Sequence, residues 1–412
     1  MSLRVPLSAL VAASALAVSG LSTAAIADSP TLRDAAGERP LIGTAVWGER
    51  DLLGDNPTTY ADFLGSEFSS LTPENDMKWE SIHPEADRYD FTGADAVMEF
   101  AESHGQGVRG HTLLWHSQNP QWVNDASPNW TCDDAREVLK DHIDTVVGRY
   151  KGRVYEWDVA NELIQDDWDE GGIQLRTRTN PFLRACSQDP VALIGDAFRW
   201  AHAADPEAIL FLNDYNAEGI NEKTDAYYEL AKELLADGAP LHGFGAQAHL
   251  SLQYGFDNSL AANMQRFADL GLKVAITEAD VRVPMEGRGV PTEEQIAEHA
   301  RRHTALLQAC IDQPACTSFT LWGFNDAYSW VPDTFPGEDW ANVMDADGKL
   351  KPAYYDMLAA LRGSGSVVDD ADDGQDASRD ETQGDVAETS STVAAPDGKS
   401  VQQEIKLPNT GV

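Results

Sequence analysis

Positive charge is what this chain most lacks. Its 412 residues include 30 lysines and arginines against 68 aspartates and glutamates, a formal charge of −38. The excess is not confined to one end: residues 28–363 carry −31, and Ser364 to Val412, with 11 acids against 3 bases, carry −8. Such a surface repels nucleic acid and anionic membrane and suits a neutral partner. Cysteine is scarce too, at four, and with no CxxC spacing zinc is a poor reading of them. Cys310 and Cys316 flank "IDQPA", where Pro314 favours a turn, so they are expected to pair, leaving Cys132 for Cys186. Beyond the N-terminal stretch no apolar run is long enough to cross a bilayer. No Gly-rich loop follows the first strand candidate, which counts against a doubly wound nucleotide-binding sheet.

What is present begins with "MSLRVPLSALVAASALAVSGLSTAAIADSP". Arg4, an apolar middle and the small-residue site Ala25-Ile26-Ala27 read as a secretory signal spanning 1–27. Export opens oxidising conditions to the cysteines. At the other end, residues 364–412 lose apolar periodicity and fill with Asp, Ser and Gly, the composition of a disordered, self-repelling tether. It closes on Leu407-Pro408-Asn409-Thr410-Gly411, which resembles the sorting motif of Gram-positive wall proteins. A working signal continues with an apolar span and a basic tail, whereas only Val412 follows here. The expectation is a secreted, extracellular product, with sortase and peptidoglycan as partners only in a longer, wall-anchored form.

Between these ends, short apolar strands alternate with amphipathic helical patterns. The strand candidates are "LIGTAVWG", "FSSLTPEN", "GVRGHTLLWH", "VYEWDVANE", "ILFLNDYN", "GFGAQAHL", "VAITEADV" and "SFTLWGF". Eight strand–helix units over residues 28–363 are what a (β/α)8 TIM barrel requires. Nearly every candidate ends in polar or aromatic residues, and in a barrel those ends gather around one pit.

Within "YEWDVANELI", alternation puts Glu156, Asp158, Ala160 and Glu162 on one face. Buried charge is costly unless paired or working. Glu156 and Asp158 lie deep and are expected to bond partners such as Arg109; Glu162 lies at the rim. Glu278 in "VAITEADV" reaches the rim of a strand on the opposite side. Two facing carboxylates suit glycosidic bond cleavage, one protonating the leaving oxygen and the other attacking or activating water. Eleven tryptophans and eleven tyrosines, with Trp79, Trp115, Trp122, Trp322 and Trp330 near strand ends, suit stacking on pyranose rings.

The motifs "TPENDMKWE", "RGHTLLWHSQ", "WDVANE", "NDYN", "GFGAQAHL", "ITEADVR" and "WGFNDAYSW", in order over about residues 38–362, resemble the signatures of glycoside hydrolase family 10 endo-β-1,4-xylanases. The resemblance implies a barrel that hydrolyses xylan with retention; a monomer with no cofactor and no metal is expected. It implies Glu162 as general acid/base and Glu278 as nucleophile, their carboxyl groups about 5–5.5 Å apart. Asn161 would bond the sugar 2-hydroxyl, Gln247 would set the acid/base, and His249, backed by Asp280, would hold Glu278. Glu74, Asn75 and Lys78 would bind xylose on the non-reducing side beside His111, Trp115 and Gln118. Tyr215 would form a platform on the leaving side, and Trp322 and Trp330 would roof the cleft. One departure is Asn325, where many members carry Thr, in a loop that shapes the cleft. The rivals are a related barrel glycosidase acting on another β-glucan and a sugar-binding barrel without activity; the second predicts loss of a rim carboxylate, and both are present.

Overall fold

A computed structural model describes residues 30–364 apart from Asp55, Pro57, Asp167, Trp168, Glu286 and Arg288. The expected signal segment and the acidic tail with its LPNTG motif lie outside the described residues.

The strands are β1 (Leu41–Val46), β2 (Ser70–Pro73), β3 (Gly107–Gly110), β4 (Val154–Asn161), β5 (Ile209–Asp214), β6 (Gly243–Ala246), β7 (His249–Ser251), β8 (Lys273–Pro284), β9 (Cys316–Leu321) and β10 (Glu338–Asp339). β1 to β6, β8 and β9 pair in parallel in that order, and β9 returns to β1 to close a (β/α)8 barrel. All eight strand candidates are barrel strands. β8 overshoots the barrel, and its extra length pairs with β7 and β10.

The outer helices form where the sequence supplies both a cap and an apolar stripe. Cys132–Arg149 starts on a capping box between Thr131 and Asp134 and buries Ala135, Leu139, Ile143, Val146 and Val147 against the barrel, the spacing of one helical face. Close packing inside forces small residues: a Cβ on Gly110 would lie 2.2 Å from the Trp157 ring. Two disulfides, Cys132–Cys186 and Cys310–Cys316, staple the outer layer, as the sequence pairing anticipates. Asn325 caps a short turn, its side-chain oxygen accepting from the Ala327 N–H at 2.8 Å.

The barrel floor is ionic. Arg109 donates from Nε to Glu156 Oε1 at 2.7 Å and from its other end to Asp158, and all three side chains are fully buried. Burial lifts Glu156 to about 7 despite Arg109 beside it. An apolar replacement of Arg109 would strand two buried acids, a change that costs several kcal/mol in comparable pairs. This ionic layer fixes the depth below which the strands hold structure and above which side chains are free to meet a ligand.

Candidate active site

Glu162 immediately follows the last residue of β4, with a φ of 54°. Left-handed backbone at a residue with a Cβ costs on the order of 1–3 kcal/mol unless its surroundings hold it. They do: its N–H donates to the Asn213 carbonyl at 2.9 Å, and its own carbonyl accepts from Arg176 Nε at 3.0 Å. Strand alternation therefore does not aim this side chain, contrary to the sequence expectation. The register between β4 and β5 shifts between Asp158 and Ala160, and the left-handed turn completes the aim. The carboxylate accepts from Trp115 Nε1 at 2.8 Å and Gln247 Nε2 at 3.1 Å. His116 Nδ1 lies 3.8 Å away.

Glu278, on β8, is 3 % exposed. One oxygen accepts from Asn213 Nδ2 at 2.7 Å and the other faces His249 Nε2 at 3.2 Å. His249 turns its second nitrogen to Asp280 at 3.0 Å, and Asp280 also accepts from Trp330 Nε1 at 2.8 Å. Burial alone would raise the Glu278 carboxyl, but His111, His249 and Arg109 outweigh it and hold the group at about 2. Burial would likewise lower His249, yet Asp280 and Glu278 push it up to about 10. Below the barrel mouth the pair is therefore imidazolium and carboxylate at neutral pH. The depressed acid adds stability above the ordinary carboxylate range and loses it as pH falls towards 2; the raised imidazole loses its contribution as pH rises through 10.

One residue joins the two acids: the Asn213 amide bonds Glu278 and its backbone carbonyl accepts from the Glu162 N–H. Asn213 Nδ2 also lies 2.9 Å from the Asn161 side chain, while its Oδ1 accepts from Thr277 Oγ1 at 2.6 Å. Ala248, with a φ of 64°, turns the chain so that Gln247 meets Glu162 and His249 meets Glu278.

The remaining expected residues ring this pair. Glu74 and Asn75 follow β2; Lys78 Nζ donates to Asn75 at 3.0 Å, and Gln118 Nε2 reaches the same oxygen at 3.3 Å. Lys78 lies 5.1 Å from the Trp115 ring and 6.0 Å from Trp322. Burial lowers Lys78, against the pull of Glu74, Glu278 and Glu162; burial raises Glu74 to about 7, against Arg50 and Lys78. His111 packs edge-on to Trp322 at 5.3 Å, and Trp330 lies 4.8 Å from His249.

One expectation needs correcting. Trp79 is core, stacked on His142 at 3.6 Å, and Trp122 donates to the His83 carbonyl beside it, so neither faces the pit. Tyr215 is 4 % exposed: its hydroxyl bonds Asp166 and Arg176, and Lys223 Nζ lies 3.7 Å from the ring. Sequence reading missed Asn213, although its place at the end of "ILFLND" marked it, and Arg176, which lies in an irregular stretch with no signal at all.

Ligand atoms of His111, Asp158 and Glu278 lie within 4.8 Å of one another, a spacing a metal could use. Each is already engaged, His111 with Asp158 at 2.8 Å, Asp158 with Arg109, and Glu278 with Asn213 and His249. Arg109 supplies the positive charge a cation would bring, so the donor set does not fit a metal. Two carboxylates in one enclosed pit, one held anionic and the other surrounded by N–H donors, can divide nucleophilic attack from proton transfer.

The chain is similar to known proteins over most of this body. The model of glycosyl hydrolase family 10 matches residues 31–360. Endo-1,4-beta-xylanase B of Thermotoga neapolitana is 38 % identical over 296 residues, 72 % of this chain and 81 % of that protein. The beta-1,4-xylanase of Dictyoglomus thermophilum is 38 % identical over 307 residues, 73 % and 84 %. Among solved structures, native xylanase 10B from Thermotoga maritima superposes with a TM-score of 0.74 at 39 % identity, covering 81 % of this chain and 98 % of that one. Xylanase 10B of Thermotoga petrophila, in complex with xylobiose, gives 0.73 at 38 %, covering 81 % and 97 %.

Proposed function

Because the chain belongs to glycosyl hydrolase family 10, we propose that it is an endo-β-1,4-xylanase that cleaves internal bonds of xylan by double displacement, with Glu278 as nucleophile and Glu162 as general acid/base. The observation that carries this reading is the shared Asn213 clamp: its amide bonds Glu278 while its backbone carbonyl holds the Glu162 N–H.

Each step follows from the surroundings. Glu278, kept ionised by His111, His249 and Arg109, attacks the anomeric carbon while Glu162 delivers a proton to the leaving oxygen. Arg176 and Asn213 hold the backbone of Glu162, so its carboxyl need not reorganise during transfer. Once the covalent glycosyl-enzyme forms, the Glu278 negative charge is gone, and Glu162 then takes a proton from the attacking water. Asn161, next to Glu162 and in contact with the Asn213 amide that bonds Glu278, bonds the 2-hydroxyl in this reading. Glu74, Asn75, Lys78 and Gln118 bind the non-reducing side. Trp115, Trp322 and Trp330 wall the cleft around His111, and Tyr215 braces the leaving side through Arg176 and Asp166.

No helix among the described residues is long and apolar enough to cross a membrane. Two disulfides support export to an oxidising compartment, and we propose 28–363 as the bounds of the catalytic domain in a secreted, monomeric enzyme.

Reducing-sugar release from linear xylan, arabinoxylan and carboxymethyl cellulose tests the substrate. Linear xylan should yield a ladder of short oligosaccharides, with cellulose at least about a hundredfold slower, since a hydroxymethyl group would meet Lys78 and Trp322. Equal rates on both polymers would favour the wider glucanase reading.

A further inference from the structure

Arg50 is a partly exposed charged side chain at the pit that the proposed mechanism leaves unused. β1 and β2 are neighbours, so Trp47, after Val46, and Glu74, after Pro73, stand side by side at the rim; the Glu74 N–H donates to the Val46 carbonyl at 2.8 Å. From the short π-helical turn Gly48–Leu52, Arg50 folds back with its guanidinium 5.1 Å from the Trp47 ring, 5.5 Å from the Tyr328 ring and 3.5 Å from Glu74 Oε2. It is also paired to Asp51, at 2.5 and 2.9 Å. The arrangement is braced: Asn56 donates to the Arg50 and Asp51 carbonyls at 3.1 and 2.8 Å and accepts from the Tyr328 hydroxyl at 2.9 Å. Yet 35 % of the Arg50 side chain remains open, between two partly exposed rings.

Lys78 lies 5.1 Å from the ring of Trp115, which bonds Glu162, whereas Arg50 meets the cleft through Glu74. A flat ring, a fork of N–H donors and a second aromatic edge, one step beyond residues that hold xylose, are what a further sugar ring needs. We propose that Trp47, Arg50 and Tyr328 form an additional subsite beyond Glu74 that takes a neutral xylosyl unit towards the non-reducing end of the bound chain. The inference rests on the reading of Glu74 given above. The unit is neutral because Asp51 and Glu74 already match the charge of Arg50, leaving no surplus to attract a uronate branch.

The test is kcat/KM along a ladder of linear xylo-oligosaccharides of increasing length, for the wild type, Trp47→Ala and Arg50→Ala. The wild type should gain about tenfold at the step that first reaches Trp47, and each variant should hold that gain below about threefold. Trp47→Phe, which keeps a ring without disturbing Asp51, should retain most of it. A wild-type ladder with no such step, or the same gain in both alanine variants, would overturn the subsite. A loss confined to glucuronic-acid-branched oligosaccharides would overturn its neutral character. Failure to cleave any xylo-oligosaccharide would instead refute the xylanase reading.

Discussion

Glu278→Gln should remove turnover on every substrate, polymeric or activated, by on the order of 10⁵-fold or more. Gln is nearly isosteric and keeps a polar group facing Asn213 and His249, so the fold should survive, but it cannot form the covalent ester. No second carboxylate can take over: Asp158 is committed to Arg109 and His111 deeper in the barrel, and Asp280 is committed to His249 and Trp330. Steady-state kinetics on xylan and on an aryl xylobioside, with xylo-oligosaccharide binding as the folding control, provide the check. Residual activity within about a hundredfold of wild type would mean that another group attacks the sugar.

Glu162→Gln should separate substrates that the first variant treats alike. On xylan, whose leaving hydroxyl needs a proton, kcat should fall by roughly 10²–10⁴. On a dinitrophenyl xylobioside the first step needs little protonation, so the glycosyl-enzyme should form rapidly and accumulate for want of a base to activate water. Azide, which needs no base, should then rescue turnover and give the β-azide. If azide has no effect, or if the aryl substrate suffers as much as xylan, Glu162 is not the acid/base.

Much of this was legible in the sequence because barrel strands end where chemistry begins. The eight apolar segments mark their own C-terminal ends with Glu, Asn, His and Trp, and the buried acids Glu156 and Asp158 foretell a buried cation. The aim of Glu162 was not legible. Alternation within a strand is a local rule, whereas the left-handed turn at Glu162 exists because Arg176, 14 residues onward, and Asn213, from the next strand, hold it. Trp79 shows the opposite failure: its polar neighbours suggest a sugar platform, but His142 on an outer helix claims its face. Contacts set by tertiary packing leave no periodicity to read, and Arg50 drew no notice for that reason.

The central claim is that Glu278 becomes covalently bonded to xylose. Incubation with a 2-deoxy-2-fluoro aryl xylobioside, which forms the glycosyl-enzyme quickly and releases it slowly, followed by proteolysis and peptide mass spectrometry, tests it most directly. The account predicts one fluoroxylobiosyl adduct, on the peptide containing Ile276 to Asp280 and localised to Glu278, with loss of activity in step with labelling. Stoichiometric labelling at any other residue, or turnover of the reagent with no adduct and an inverted first product, would contradict it.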